Sequence, residues 1–294
     1  LRPGPLPDHV LRWLYRKEEL DVVYQNHESP AEEQRARKFA CYFIQKLGTI
    51  VELQQNTIAT AIVFWQRYYA CRSVVASEKL HSGVDRMRMA LAALFLGSKV
   101  ANEPRHLNDI IIRAAPLYLR RSLEQKQLPK SEGATTASEV LEVAEERRKC
   151  EQYNEQAAKT LADERRKVVN AEFELLKYLG FDFEYESPYY MLSRCLRLCG
   201  ADNDVAKDAW SYANDSLITN VALRFPPESI ACAAVELAHK RQKRPFVNPE
   251  TNQPWTVTWQ VPLCDVKAVE DELEKLYQSQ AQPPAQAQTP QPAQ

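Results

Sequence analysis

Two charged residues lie in otherwise apolar helical segments of this sequence, Lys99 and Glu172. On a helical wheel of residues 168–179, at about 100° per residue, the mean direction of the apolar side chains falls on Glu172. These apolar side chains are Val168, Val169, Ala171, Phe173, Leu175, Leu176 and Leu179. A carboxylate among apolar groups is costly unless it is paired and hydrogen-bonded. We therefore predict that Lys99 and Glu172 pair across two packed helices, either as a structural pair or as a binding site with spare donors and acceptors.

No group of residues in the sequence predicts catalysis. The sequence contains no phosphate-binding loop, dinucleotide-binding, metalloprotease or serine-hydrolase motif, and its five histidines lack metal-ligand spacing. Cys195 and Cys199 are four residues apart, but a metal site would need two further ligands. Asp202 and Asp204 are better explained as capping residues at the start of a helix. The sequence predicts a non-enzymatic protein without a metal or cofactor.

Composition limits the class of protein. The 294 residues include 38 Lys and Arg against 39 Asp and Glu, so the net charge of −1 gives no general attraction to nucleic acid or membrane. No apolar run is long enough to predict a transmembrane helix. The seven cysteines, an odd number, suit reduced thiols inside the cell. We expect a soluble globular protein in which neither membrane binding nor direct nucleic-acid binding is predicted.

Apolar residues recur at helical spacing and glycine is scarce, which predicts an all-α fold. Ser29 and Glu32 form a capping box before a helix predicted to end at Gly48. A later segment is apolar almost all round, which is typical of a helix at the centre of a bundle. The predicted helices of the first half are 30–47, 54–70, 84–101 (the apolar one), 107–115 and 166–179.

The pattern then recurs in the second half of the chain. MALAALFLGSK (89–99) and IACAAVELAHK (230–240) match at five of eleven positions, 141 residues apart. Helices at 187–199, 204–222, 228–240 and 264–278 follow the same order as those before, which predicts a structural repeat. The sequence therefore predicts two tandem bundles of about five helices. An N-terminal helix is predicted ahead of the first bundle. The predicted division is a first domain at 1–185, made of this N-terminal segment and the first bundle with a charged insertion at 122–165, a second domain at 186–278, and a disordered Pro/Gln/Ala-rich tail at 279–294.

Specific segments resemble the cyclin family. FLGSKVANEP around Lys99 and AEFELLKYLGF around Glu172 are similar to the ends of the third and fifth helices of the cyclin box. The opening RWLYRKEEL and the stretch AWSYANDSLITNVALRFPPESIACAAVELA resemble the transcriptional cyclins K, L and T. The family's paired acids after the lysine are here Ala101 and Asn102, and no substrate-docking motif of the cell-cycle cyclins appears in the first helix.

The resemblance implies a regulatory subunit that forms a heterodimer with a cyclin-dependent protein kinase and activates it. It further implies a nuclear protein whose kinase acts on the C-terminal repeat of RNA polymerase II or on elongation and splicing factors. Two alternatives stay open: a DNA-binding transcription factor of the TFIIB kind, and a helical scaffold without a kinase. The basic run 240–244 is a nuclear signal, a nucleic-acid patch or a favourable helix C-terminus. The kinase-binding residues that the resemblance implies are Lys99, Asn102, Glu172, Leu176 and Phe181.

Overall fold

The computed structural model describes residues 8–25, 30–75, 85–126 and 161–281. The regular structure in these residues is helical, apart from one isolated antiparallel bridge between Val247 and Pro254. The predicted all-α class is therefore confirmed. Ser29, most of the predicted insertion and most of the predicted tail lie outside the described residues.

The chain forms two compact units. One spans Tyr15–Ser187, and the other combines the described residues of 8–14 with those from Pro188 onward. The helices of the first unit are α2 (Lys17–Gln25), α3 (Pro30–Ile50), α4 (Gln55–Tyr68), α5 (Arg86–Val100), α6 (Leu107–Lys126) and α7 (Leu161–Leu179). Those of the second are α1 (Asp8–Leu11), α8 (Pro188–Leu198), α9 (Asn203–Ser216), a 3-10 turn (Val221–Leu223), α10 (Pro227–Arg241), α11 (Trp255–Thr258) and α12 (Leu263–Ala281).

Helix α5 is the centre of the first unit, as its all-round apolar sequence predicts. It packs against α3, α4, α6 and α7. Small residues let the neighbours approach: a Cβ atom added to Gly97 would lie 3.0 Å from the Ala61 Cβ of α4. Close packing of this kind fixes the position of α5 and hence of Lys99 in its last turn.

A buried carboxylate holds the segment after α4. Glu33, on α3, is completely buried and accepts hydrogen bonds from the N–H groups of Val74 (2.9 Å) and Val75 (3.1 Å). The Ser73 hydroxyl and the Arg37 guanidinium donate to the same carboxylate, each at 2.9 Å. Arg37 also donates to the carbonyl oxygens of Tyr69 and Arg72, which come just before this segment. Glu33 thus ties α3 to a segment about forty residues further along the chain.

Three helix boundaries of the first unit differ clearly from the sequence prediction. Helix α6 continues to Lys126, past the predicted end at residue 115 and into the predicted insertion, with Pro116 accommodated inside the helix. Helix α3 continues through Gly48 to Ile50 instead of ending at Gly48. The glycine there serves packing: an added Cβ would lie 2.5 Å from the Cγ1 of Ile58 on α4. Helix α7 begins earlier than predicted, within the predicted insertion. Its first turns are tied to α5 by two hydrogen bonds of 3.0 Å from Arg88 to Glu164.

Helix α10 is the centre of the second unit and packs against α8, α9 and α12. Its alanines at 231, 233 and 234 are fully buried. The predicted tandem arrangement, with an alanine-rich helix central in each bundle, is confirmed. Asp202 caps α9 as predicted by accepting from the Val205 N–H at 3.0 Å. The predicted helix 204–222 is wrong in extent: α9 ends at Ser216, where Ser216 and Thr219 hydroxyls bond to the carbonyls three residues earlier and a 3-10 turn follows.

Candidate functional site

Lys99 and Glu172 form an ion pair between the last turn of α5 and the middle of α7, so the predicted pairing is confirmed. The Glu172 side chain is 9% exposed, whereas that of Lys99 is 42% exposed. The Lys99 Nζ also lies 4.2 Å from the centroid of the Phe95 ring, where a cation is attracted to the aromatic face. The pair therefore sits at the edge of the bundle, and a lysine ammonium has three N–H donors of which Glu172 takes one.

A cavity of about 420 Å³ opens beside this pair. Its apolar wall comes from α5, α7 and the start of α6, and cationic side chains stand at its rim. Such a site fits an apolar side chain flanked by hydrogen-bond acceptors, for example backbone carbonyls. The lining residues are Phe95, Lys99, Pro104, Arg105, His106, Leu107, Arg165 and Val169.

Phe181 is presented to solvent by an unusual backbone. Helix α7 ends at Leu179, and both Gly180 and Phe181 have positive φ angles, of 59° and 60°. A left-handed conformation is strained for an aromatic residue. Phe181 is 63% exposed, and its ring contacts that of Phe183 in an edge-to-face arrangement at 6.2 Å between centroids. Strain combined with an exposed aromatic ring favours a binding role over core packing.

Leu176 and Asn102, the other two predicted site residues, differ in burial and in backbone position. Leu176 is half-buried on α7, one turn after Glu172. Asn102 is exposed and takes a positive φ of 57° just beyond α5, where its N–H donates to the Lys99 carbonyl at 3.2 Å. Asparagine tolerates this conformation, so Asn102 has a structural role in ending the helix that carries Lys99.

Sequence reasoning missed two surface residues of α7. Val169 and Phe173 were assigned to the core-facing stripe, but both are exposed, while Val168 and Leu175 are buried. Together with the half-buried Leu176 they extend an apolar surface around the Glu172 carboxylate. The signal was an apolar stripe wider than one packed face requires.

Glu103, which follows the site directly, was also missed. Its Oε2 accepts from the Gln54 N–H (3.0 Å) and the Thr57 hydroxyl (2.8 Å) at the start of α4. The segment after Lys99 is thereby fixed to the neighbouring helix.

Other candidate chemistry from the sequence is absent from the described residues. They contain no group of three or more His, Cys, Asp or Glu side chains arranged to hold a metal ion. None of their helices combines the length and apolar character that crossing a membrane requires. Burial raises the pKa of the Cys195 thiol to about 12, which makes it unreactive near neutral pH.

The basic run 240–244 is largely neutralised within its own unit. It forms the last turn of α10 and the residues just after it, and Lys243 has a positive φ of 54°. Cations that are held in ion pairs are less available to nucleic acid or to a transport receptor, which disfavours those two interpretations. The pairs are Lys240 with Glu270, Arg241 with Asp208, and Arg244 with Asp202.

The family is decided by a match over most of the first unit. The family model described as "Cyclin, N-terminal domain" matches residues 10–184. This chain belongs to the cyclin family. The family prediction is thereby confirmed, and every predicted site residue of this cyclin lies within the matched range. The second unit from Pro188 onward lies outside it.

Relatives of this cyclin include transcriptional types. Cyclin-T1-4 of Arabidopsis thaliana is 28% identical over 283 residues, which are 95% of this chain and 46% of that protein. Cyclin-T1-3 of Oryza sativa subsp. japonica is 30% identical over 257 residues, 86% of this chain and 46% of that protein. Cyclin-L1 of Gallus gallus is 28% identical over 245 residues, 83% of this chain and 38% of that protein. The chain thus spans less than half the length of these relatives.

Solved structures share the fold. A chain of the yeast RNA Pol II CTD kinase CTDK-1 complex matches with a TM-score of 0.63 at 17% identity, covering 90% of this chain and 72% of that one. A chain of the yeast TFIIK (Kin28/Ccl1/Tfb3) complex matches with a TM-score of 0.52 at 17% identity, covering 90% and 98%. At this identity the likeness concerns the fold alone.

Proposed function

We propose that this cyclin binds a cyclin-dependent protein kinase and holds it in its active conformation, without doing chemistry itself. The observation that carries the proposal is the Lys99–Glu172 pair at the bundle edge, with spare lysine donors beside an apolar cavity. The exposed part of the ammonium leaves donors that carbonyl oxygens of a partner can use. We also propose that the two units correspond to two cyclin boxes, with the boundary between them after residue 185.

The partner surface that fits this site is backbone at the end of a kinase helix. Lys99 donates to carbonyl oxygens, Glu172 accepts from N–H groups, and the ion pair keeps both side chains in position before the kinase arrives. Leu176 and Phe181 supply apolar area, which Val169 and Phe173 enlarge. Asn102 acts by ending α5 so that Lys99 stands at its last turn.

Activation then follows from differential binding. A cyclin that contacts only the inward position of the kinase's regulatory helix shifts the kinase population toward that position. In that position the kinase's own lysine and glutamate pair around ATP, which phosphoryl transfer requires. The size of the shift equals the difference in binding free energy between the two kinase conformations.

The proposed setting is the nucleus, and the proposed targets are the C-terminal repeat of RNA polymerase II or factors of elongation and splicing. The support is the similarity to T- and L-type cyclins and the fold shared with a chain of a complex described as an RNA Pol II CTD kinase. A DNA-binding role of the TFIIB kind has no supporting observation in the described residues.

The test is co-expression of this chain with each of several transcriptional cyclin-dependent kinases. We expect one of them to co-purify at equal stoichiometry and to phosphorylate a polymerase-repeat peptide only in the presence of this chain. Failure to bind any of these kinases, by a chain whose helical circular dichroism is intact, would favour the scaffold alternative. Binding without stimulation of the kinase would retain the partner and refute the activating role.

A further inference from the structure

The second unit repeats the lysine–carboxylate pair of the first. Lys240 lies 141 residues after Lys99 and occupies the last full turn of α10 as Lys99 does in α5. Its Nζ donates to both oxygens of Glu270 on α12, at 2.8 and 2.7 Å. Each helix also ends in the same way, with a left-handed residue three positions after the lysine, Asn102 in α5 and Lys243 in α10.

The two pairs differ in the hydrogen-bonding capacity that they leave open. Lys240 also pairs with Glu236 at 3.0 Å, so carboxylate oxygens of two residues lie within reach of its Nζ. Glu236 stands at the position that corresponds to Phe95 in the first unit. Two carboxylates sharing one ammonium leave a net negative charge and unused acceptor lone pairs, whereas the first site has unused donors.

A further acid increases this negative potential. The pKa of the Glu270 carboxyl lies above its ordinary value, chiefly because the group is buried. The hydrogen bonds from Lys240 lower this pKa, whereas the negative charges of Glu236 and Glu274 raise it. Glu274 is exposed on α12, one turn after Glu270. The cluster therefore favours a cation or an N–H donor from outside.

An apolar groove adjoins this acidic cluster. A cavity of about 480 Å³, open to solvent, lies between the end of α10, the start of α12 and the segment that contains α11. Its floor is supported by Phe246, which packs against His239 and Trp259 at centroid distances of 5.0 and 5.5 Å. Val257 and Leu263, at its rim, are both largely exposed. The lining residues are Glu236, Phe246, Pro254, Thr256, Val257, Gln260, Val261, Pro262 and Leu263.

We propose that this groove and the cluster of Lys240, Glu236 and Glu270 form a second docking site, which binds a cationic amphipathic helix of a partner protein. Charge complementarity selects the occupant: Lys or Arg side chains meet Glu236 and Glu274, and the apolar face of the helix enters the cavity. A helix in an apolar groove is a common mode of peptide recognition, with anchor residues three or four positions apart. This proposal does not rest on kinase binding through the first unit.

The test uses a fluorescein-labelled 14-residue helical peptide of Leu and Lys, with its leucines on one face, and a Leu/Glu peptide of the same pattern. Fluorescence anisotropy should show saturable binding of the Lys peptide to the whole chain and none of the Glu peptide. Glu236→Gln and Val257→Ser should each weaken the Lys peptide at least tenfold. Matched controls in the first unit, Glu52→Gln and Val22→Ser, should stay within twofold, since Val22 is 52% exposed against 56% for Val257.

Three results would overturn the proposal. The first is no binding of the Lys peptide at moderate salt, and the second is binding that all four variants retain equally. The third is a dimer in sedimentation velocity that Val257→Ser converts to a monomer, because the groove would then be covered by a second copy of this chain.

Discussion

Replacing Glu33 tests how the first unit is held together. Glu33→Ala removes a fully buried carboxylate, the acceptor of the Val74 and Val75 N–H groups, and the ion pair with Arg37. Removing one partner of a buried ion pair costs about 3–5 kcal/mol of unfolding free energy. At about 2–4 °C per kcal/mol for a unit of this size, the melting temperature should fall by roughly 6–20 °C.

Urea denaturation and scanning calorimetry at pH 7 measure this loss. Glu32→Ala is the matched control, because Glu32 is the neighbouring carboxylate on the same helix and is exposed, so its unfolding free energy should change by about 0.5 kcal/mol or less. Equal stability of the two variants would refute the role of Glu33 in holding the segment after α4.

The same carboxylate predicts a pH dependence of a definite sign. Burial alone raises the pKa of Glu33, but the N–H groups of Val74 and Val75, Arg37 and Ser73 outweigh burial and hold the pKa below the ordinary 4.5. The unfolded chain therefore takes up this proton first, so the stabilisation is present above pH 4.5 and is lost as the pH falls through the folded-state pKa. Glu33→Gln should flatten the stability profile in this acid range, and Glu32→Gln should not.

Three further outcomes follow from the packing. Lys99→Met combined with Glu172→Leu should keep the unfolding free energy within about 1 kcal/mol of the parent or raise it, since apolar replacement of an ion pair is often neutral. A large loss of unfolding free energy in urea would show that the pair stabilises the fold. Gly97→Ala should destabilise the first unit by about 1–3 kcal/mol in urea, through contact with α4, and unchanged stability would contradict that close approach. Exposed Cys71 should react with a thiol reagent in the native protein before buried Cys195, and peptide mapping that finds the reverse order would contradict the assigned burial.

The helices and the central pair were predictable because their signals are local. Apolar residues at helical spacing mark buried faces, which is why α5 and α10 were placed at the bundle centres. Lys99 and Glu172 were predictable because a charge inside an apolar stripe requires a partner, and these were the two charges singled out in such segments.

What the sequence did not reveal depends on distant or irregular contacts. The capping-box pattern drew attention to Glu32, whereas the acceptor for Val74 and Val75 is Glu33, and nothing local connects residues so far apart. A helical wheel gives the direction of Val169 and Phe173 but not how far neighbouring helices cover them. The single turn α11 is too short to have a period, so the groove that it helps to enclose had no sequence signal.

The most direct test of the kinase-docking account is the affinity of this chain for its kinase, measured by titration calorimetry on two matched double variants. Lys99→Met with Glu172→Leu removes the pair of the first unit, and Lys240→Met with Glu270→Leu removes its repeat in the second. We expect the first variant to lose about 2–5 kcal/mol of binding free energy, which raises Kd at least about 30-fold, and the second to keep wild-type affinity. Wild-type affinity in both folded variants would contradict kinase docking through Lys99 and Glu172 and would leave this pair with a role in packing alone.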